Sequence, residues 1–266
     1  MVNFQLDEMQ EMLKELAHQF AVEEIRPHAE HWDTESIYPK EAIQSAHEMG
    51  LLNLHIGEEY GGPGLGSMEE VLVNEELAWG DPGFATAAYA TSLACAPIIT
   101  GATEEQKQMW LGKVAQEGAL ASYAVTEPGA GSDVAACKTT AVRDGDEYII
   151  NGSKMWITGA GYADFFFVLA KTDVDAGYKG MSGFIVESDA EGFSLGKKEV
   201  NMGQRCSDTR SIQFDDVRIP ANQLIGGSES GGWMNAMKAF DMSRPNIAAH
   251  ATGLARAAYE LSLIHI

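Results

Sequence analysis

The segment YAVTEPGAGSD, residues 123–133, combines residue types that could bind a flat ligand. Glycines let a backbone approach such a ligand closely, and exposed amides can donate to its carbonyl or phosphate oxygens. Thr126, Ser132 and Asp133 add side chains that form hydrogen bonds. The spacing is not GxGxxG, and no strand–helix–strand unit surrounds it, which excludes a Rossmann dinucleotide site. A tight turn with a purely structural role is the alternative interpretation.

The segment KMWITGA, residues 154–160, places Trp156 and Thr158 two residues apart on one predicted strand. Side chains at this spacing share a strand face. The indole of Trp156 is a large flat surface that could cover an aromatic cofactor, and Thr158 offers a hydroxyl group beside it. An ordinary pair of barrel residues is the alternative interpretation of this segment.

Two further polar segments have structural interpretations. Residues 201–210, NMGQRCSDTR, hold two arginines and an aspartate within six residues, which predicts a hydrogen-bonded brace between strands. Cys206 lies next to Arg205, which could lower the pKa of the thiol, but no base of fixed geometry accompanies it, so we do not interpret it as a nucleophile. Asp241 and Arg244 share a helix face, which predicts a surface ion pair worth ~0.3–0.5 kcal/mol.

The elements that must position these segments change in character along the chain. Residues 1–119 carry helical apolar spacing and predict a helical domain of about five helices without strands. Residues 120–226 alternate β-prone runs with turn signals and predict an antiparallel barrel or sandwich of about seven strands, with hairpin turns at 144–145 and 151–152. Residues 227–266 predict the first helix of an incomplete helical domain, with Pro245 as a kink or restart. The expected fold class is α+β.

Composition narrows the class of protein. The 266 residues carry a formal net charge of −21, from 39 acidic and 18 basic side chains. Such a surface repels phosphate backbones, which argues against nucleic-acid binding. Three separated cysteines, without CxxC or HxxxH spacing, argue against a disulfide framework and a metal site. The sequence has no signal-peptide pattern and no uninterrupted apolar run of 18 residues, so we expect a cytoplasmic location without membrane insertion.

Taken in order, YAVTEPGAGSD, NGSKMWIT, MGQRCSDTR and FDMSRP resemble the acyl-CoA dehydrogenase family, most nearly its medium-chain branch. The resemblance extends to about Leu261. It implies an N-terminal helical domain, a middle β domain and a C-terminal helical bundle, usually in a homotetramer that binds FAD. It also implies oxidation of a fatty acyl-CoA thioester to its trans-2-enoyl form, with electrons passed to an electron-transferring flavoprotein.

Carried over residue by residue, the resemblance implies two sets of contacts. The flavin would be contacted by backbone and side-chain groups of Tyr123, Val125, Thr126, Ser132, Trp156 and Thr158. The acyl-CoA would be contacted by Ser132, Tyr89, Asp241, Ser243 and Arg244. Tyr89 corresponds to the base of the acyl tunnel, and we expect its bulk to favour short or medium acyl chains.

The sequence departs from the family pattern at the catalytic base. In this branch the base is a glutamate in a Tyr-Glu-Gly-Thr motif near the C-terminus, and no such motif is present. Some relatives place the base where this chain has Ser243, which cannot act as one, and Glu127 precedes a proline in a loop where a structural role is expected. We therefore expect the base to lie beyond Ile266, and residues 1–266 to be an inactive, C-terminally truncated fragment.

Two other functions stay open from the sequence. An acyl-CoA oxidase of the same architecture would pass electrons to O₂ instead of to a flavoprotein. A non-catalytic flavin-binding or acyl-CoA-binding fragment would use the same segments without turnover. Rapid formation of peroxide in air would favour the first, and a stable yellow monomer would favour the second.

Overall fold

A computed structural model describes residues 5–266, and its first half is helical. One five-residue π-helical turn, Ala21–Ile25, joins the first two helices. Among the described residues before position 120 there are six α-helices and no strand. They are α1 (Glu8–Phe20), α2 (Arg26–Thr34), α3 (Lys40–Glu48), α4 (Ser67–Gly80), α5 (Pro82–Gly101) and α6 (Glu104–Glu117). The sequence pattern did not separate α2 from α1.

Helix starts follow local capping chemistry. The Asp7 carboxylate accepts from the Gln10 N–H at 2.8 Å, and the Gln10 side chain accepts from the Asp7 N–H at 3.2 Å. Such reciprocal bonds satisfy N–H groups that the helix leaves without partners. At the start of α4, the Glu69 carboxylate accepts from the N–H of Gly66.

Helix α5 is the core of the helical part. Its 20 residues are long and apolar enough to cross a membrane, but 78% of its most apolar window is buried inside the protein. The segment resembles a transmembrane span only in length and composition, which a buried core helix also matches. It lies between the other helices and the sheet, where Phe84, Ala94 and Cys95 have no exposed surface.

The middle of the chain forms a sheet of seven strands, β1 (Ala121–Ala124), β2 (Thr140–Asp144), β3 (Glu147–Thr158), β4 (Phe165–Lys171), β5 (Met181–Glu187), β6 (Phe193–Lys198) and β7 (Thr209–Pro220). The strand order is β1-β4-β2-β3-β7-β6, and β5 pairs with β4. Four pairings are antiparallel, but β1 runs parallel to β4 along its whole length, and β2 meets β4 in parallel at one residue pair. A parallel pairing requires a long crossover, which β2 and β3 supply here.

Two details of the predicted sheet were wrong. Asn151-Gly152 is not a turn: β3 runs through it, and the pairing with β7 shifts register between Ile150 and Gly152. Gly152 has φ of +144°, and a Cβ there would lie 2.6 Å from the Thr139 hydroxyl oxygen, so only glycine fits this bulge. The prediction also missed β6, whose side chains are mostly exposed and carry a weak hydrophobic pattern. The α+β class with a helical, a β and a second helical part is confirmed.

The chain returns to the helical part through α7 (Gly232–His265). Pro245 neither ends nor restarts this helix. Proline has no N–H to donate to the Asp241 carbonyl, but Asp241 and Pro245 both lie on the exposed side of the helix. Gly253 faces α4 so closely that a Cβ would collide with the Glu75 carbonyl oxygen and lie 2.8 Å from the Trp79 nitrogen. The two backbones therefore touch, and a side chain at Gly253 would separate them.

We expect Gly253→Ala to lower the free energy of unfolding by about 1–3 kcal/mol, as overpacking does in cores, although alanine favours helix formation. Urea unfolding measures the change. Thr252→Ala is the control, since Thr252 is exposed on the same helix and its replacement should change stability by about 0.5 kcal/mol or less. Equal effects of the two substitutions would contradict close contact of α7 with α4.

Candidate functional site

Two hydrogen bonds join the end of β1 to the end of β3. The Ser122 hydroxyl donates to the Thr158 carbonyl at 2.7 Å, and the Met155 N–H donates to the Thr126 carbonyl at 2.9 Å. Thr126 and Thr158, which are 32 positions apart, therefore lie along adjoining chain segments. Trp156 stands between Met155 and Thr158 on β3. The structure thus brings three of the predicted ring-binding residues, Thr126, Trp156 and Thr158, to adjoining segments near the ends of β1 and β3, and we call this place the ring-binding edge.

The exposure of Trp156 depends on a second bulge in β3. The pairing with β7 shifts between Lys154 and Ile157, and Trp156 has a left-handed backbone with φ of +63°. In a regular strand Trp156 would share the inward face of Lys154. The extra residue reverses the alternation, so that Trp156 is 56% exposed while Ile157 is buried. A left-handed conformation costs a non-glycine residue roughly 1–2 kcal/mol, which marks the position as constrained.

The loop after β1 is open on its outer side. Glu127 and Ala130 exchange backbone hydrogen bonds of 3.0 and 3.1 Å, which fold the loop into a tight turn. A Cβ placed on Gly129 or Gly131 would meet no atom within 4 Å. These glycines are therefore not required by packing inside the described chain, and they leave the backbone accessible to a ligand. Ser132 is exposed at the far end of this turn.

A buried ion pair lies beneath this loop. The Lys154 ammonium has no exposed surface and donates to the Glu127 carboxylate at 2.9 Å and to the carbonyls of Val125 and Leu169 at 3.2 and 2.6 Å. Burial alone would raise the pKa of Glu127, but Lys154 and hydrogen bonds from Cys137, Thr139 and the Lys138 N–H lower it to about 2. Lys154 belongs to the motif of residues 154–160, but the motif alone predicts no role for it; a lysine at an inward-facing position of β3 was the available signal.

The side chains of two other residues predicted to contact the flavin pack inside the protein. The Tyr123 hydroxyl donates to the Ala236 carbonyl of α7 at 3.1 Å, and its ring stacks on Phe167 at 5.2 Å. Burial raises the pKa of Tyr123 well above its usual range. The side chain of Val125 is buried. Any ligand contact by Val125 must therefore come from its backbone, and the Tyr123 hydroxyl is already bonded to the protein.

The predicted acyl-CoA residues divide between two sides of α7. Asp241 and Arg244 are exposed and form the predicted ion pair. Ser243 is buried and donates to the Phe240 carbonyl at 3.1 Å. Tyr89 of α5 is buried as well, and its hydroxyl accepts from Asn246 at 2.9 Å. The structure therefore brings Tyr89 to the inner face of α7 and leaves the ion pair on the outer face.

Tyr89 belongs to a buried polar network that links α4, α5 and α7. The Asn246 side chain donates to the Glu70 carboxylate at 2.8 Å, and the Asn74 side chain donates to the side-chain amide oxygen of Asn246 at 3.1 Å. His250 lies 3.0 Å from the Asn74 side chain, and its ring meets the Tyr89 ring edge-on. Burial lowers the pKa of His250 to about 4, although Glu70 opposes the shift. The network lies deep between the three helices, and sequence patterns did not reveal it.

Residues 201–210 form a brace, but between different elements from those predicted. The Arg205 guanidinium pairs with Asp33 of α2, and the Asp208 carboxylate accepts from the Gly161 N–H at 2.8 Å. The segment therefore fixes the sheet to the helical part as well as bracing the sheet itself. Arg205 does not lower the pKa of the Cys206 thiol: burial, then the nearby Asp81 carboxylate, raises it. Within residues 5–266, no cluster of three His, Cys, Asp or Glu side chains is placed to hold a metal ion.

Comparisons with known proteins agree with this arrangement. The family model "Acyl-CoA dehydrogenase, N-terminal domain" matches residues 7–118, and "Acyl-CoA dehydrogenase, middle domain" matches residues 122–217. The chain is 48% identical, over 95% of its length, to a probable medium-chain specific acyl-CoA dehydrogenase of Caenorhabditis briggsae. The match spans 62% of that relative, so the chain is shorter than the relatives it resembles.

Solved structures give the same result. Butyryl-CoA dehydrogenase from Megasphaera elsdenii superposes with a TM-score of 0.93 at 37% identity, over 97% of this chain and 68% of that one. A chain from a structure of the electron transferring flavoprotein of Acidaminococcus fermentans gives a TM-score of 0.93 at 39% identity, over 97% and 68% of the two chains. The resemblance read from the motifs is therefore confirmed at the level of the family.

The buried position of His250 predicts a loss of stability in mild acid. The folded pKa of about 4 lies below the ordinary value of about 6.5, so as pH falls the unfolded chain binds this proton first. Stability is therefore lost as pH falls from about 6.5 to about 4, and His250 should account for about 2 kcal/mol between pH 7 and pH 5. Urea unfolding at the two pH values measures it.

His250→Gln is the matched variant, because glutamine can keep a hydrogen bond to Asn74 but does not titrate. Its free energy of unfolding should change less between pH 7 and pH 5 than that of the unaltered protein. Burial also lowers the pKa of His47. Because His47 is present in both proteins, its effect on the free energy of unfolding cancels in the comparison. The same loss in both would show that His250 is not the group responsible.

Proposed function

The chain belongs to the acyl-CoA dehydrogenase family, and from this premise we propose that the whole protein oxidises a short- or medium-chain acyl-CoA thioester to its trans-2-enoyl form. FAD is the cofactor that the family assignment supports. Electrons would pass to an electron-transferring flavoprotein, a partner suggested by the similarity to a chain from such a protein's structure. The observation that carries the proposal is the shared edge of Thr126, Trp156 and Thr158.

This edge fits a planar heteroaromatic ring. Trp156 presents an exposed flat indole, the hydroxyl-bearing residues Thr126 and Thr158 lie beside it, and the glycines of the adjoining loop leave their backbone uncovered. Aromatic faces and backbone amides together bind flat rings that carry polar edges. Bound FAD would supply an acceptor for the two electrons that leave the substrate. Thr158 would stabilise negative charge near that ring by hydrogen bonding, as preorganised donors do.

The three residues of the site considered for the base are each engaged in other contacts. Glu127 is buried and paired with Lys154, and its pKa of about 2 makes it a poor proton acceptor. Asp241 is exposed and paired with Arg244. Ser243, at the position where some relatives hold the base, donates to a backbone carbonyl. We infer that the base for the α-proton is none of these residues.

Tyr89 supports a preference for shorter acyl groups. Its hydroxyl is bonded to Asn246, and its ring contacts His250, so the side chain is fixed in place from two directions. A fixed aromatic ring cannot move aside for a longer chain as a flexible side chain could. A homotetramer in the cytoplasm is the remaining part of the proposal, and it depends on the family resemblance and composition alone.

The function is tested by assaying the whole protein, loaded with FAD, on butyryl-, octanoyl- and palmitoyl-CoA with an electron-transferring flavoprotein as acceptor. We expect the highest kcat/KM on butyryl- or octanoyl-CoA, and the highest value on palmitoyl-CoA would refute the role of Tyr89. No reduction of the flavin by any of these thioesters would refute dehydrogenation itself. Rapid peroxide formation in air would instead indicate an oxidase.

The role of Trp156 is tested by Trp156→Asn. We expect the dissociation constant of FAD to rise about 3- to 10-fold, which corresponds to the loss of one aromatic contact. The FAD-free protein should change in stability by less than about 1 kcal/mol, because asparagine adopts the left-handed backbone with less strain. Tyr259→Asn is the control, since Tyr259 is an equally exposed aromatic residue on α7. Equal FAD affinity in all three proteins would place the flavin elsewhere.

A further inference from the structure

Lys154 and Glu127 form an ion pair that stability alone does not explain. Their side chains are 0% and 6% exposed. Removing two charges from water costs several kcal/mol per ion, and apolar side chains of the same volume are often as stable or more so. A pair at this depth therefore calls for a further reason, which its contacts supply.

The pair connects four separate chain segments. Lys154 projects from β3 and donates to the Val125 carbonyl, which immediately precedes Thr126, and to the Leu169 carbonyl of β4. Glu127, on the other side of Thr126, accepts from the Lys138 N–H at 2.6 Å and from the Thr139 hydroxyl at 2.6 Å. Thr126 is therefore held on both sides, by the carbonyl of the residue before it and the carboxylate of the residue after it.

Trp156 follows the same lysine two positions later on β3. Lys154 points inward immediately before the bulge that turns Trp156 outward. If Lys154 left the core, the strand could recover regular alternation, and the indole would lose its outward position. One ammonium group thus fixes the two chain segments that form the ring-binding edge.

We propose that the buried Glu127–Lys154 pair is the positioning device of this edge, which holds Thr126 and Trp156 in register for the flavin. The proposal rests on the function proposed above, because it assigns the pair to the ring-binding edge of that site. The pair itself touches neither the ring nor the substrate. It acts through the Val125 and Glu127 backbone on one side and through the β3 bulge on the other.

Three variants separate positioning from stability: Glu127→Gln, Lys154→Met and the double variant that carries both. Each single substitution leaves one buried charge without the opposite charge beside it, so both should lower the urea midpoint of unfolding. The double variant removes both charges, and its midpoint should recover towards that of the unaltered protein. Its FAD dissociation constant should nevertheless remain about tenfold higher than that of the unaltered protein, since Lys154 no longer donates to the Val125 carbonyl.

A second measurement needs no flavin. The Met155 N–H donates to the Thr126 carbonyl, so its hydrogen exchange reports directly on the register of the two segments. We expect this amide to exchange at least about tenfold faster in the double variant at matched stability. Amides of the β4–β5 pairing, which contact the pair only at Leu169, should keep their protection apart from that residue.

The control is the double variant Asp33→Asn with Arg205→Met, which removes an ion pair that also joins distant segments but lies away from the ring-binding edge. It should lower stability without changing FAD affinity or exchange at Met155. If the Glu127 and Lys154 double variant recovers stability, FAD affinity and Met155 protection together, the pair has no positioning role. If the unaltered whole protein binds no FAD, the proposed function fails, and the exchange measurement still tests the register.

Discussion

An ammonium group without solvent must be surrounded by oxygen atoms, and this requirement organises the centre of the molecule. Lys154 meets it with one carboxylate and two backbone carbonyls from different segments. Because those oxygens belong to the loop after β1 and to β4, the lysine can be satisfied only when three parts of the sheet are in their final positions. The loop of residues 125–133 therefore acquires a fixed place without being part of a regular ladder.

The same constraint explains why β3 is irregular. The strand must bury Lys154, expose Trp156 and bury Ile157, a sequence of faces that a pleated strand cannot produce. The bulge adds one residue to the strand, which returns Ile157 to the buried face. The left-handed backbone at Trp156 is the conformational cost of this bulge. In the middle of β3, Gly152 makes a similar adjustment where Thr139 approaches. A single 12-residue strand thus contains two shifts in its pairing with β7.

Much of this arrangement could be predicted from the sequence, and the failures share a physical cause. Helix starts, the α+β order and the ring-binding segments follow from local patterns and motifs. Asn151-Gly152 was misjudged because a glycine that serves a turn and a glycine that serves a bulge look the same locally. The pKa of the Cys206 thiol could not be judged from the neighbouring Arg205, because burial and then Asp81, 125 positions away along the chain, raise it. Local pattern defines elements, whereas contacts between distant segments define the chemistry of a side chain.

Helix α7 illustrates how polar contacts can select one docking position. Its inner face carries Asn246 and His250, which bond to side chains of α4, and at Gly253 the two backbones touch. One turn further on, the Arg256 guanidinium donates to Glu75 and to Glu76, whose pKa is lowered by that bond and by His18 against the opposing effect of burial. An apolar face alone would tolerate sliding along α4, since burial of surface is not directional. Hydrogen bonds at Asn246, His250 and Arg256 together favour one register, and that register places Ser243 and the Ala236 carbonyl, which accepts from Tyr123, relative to the sheet.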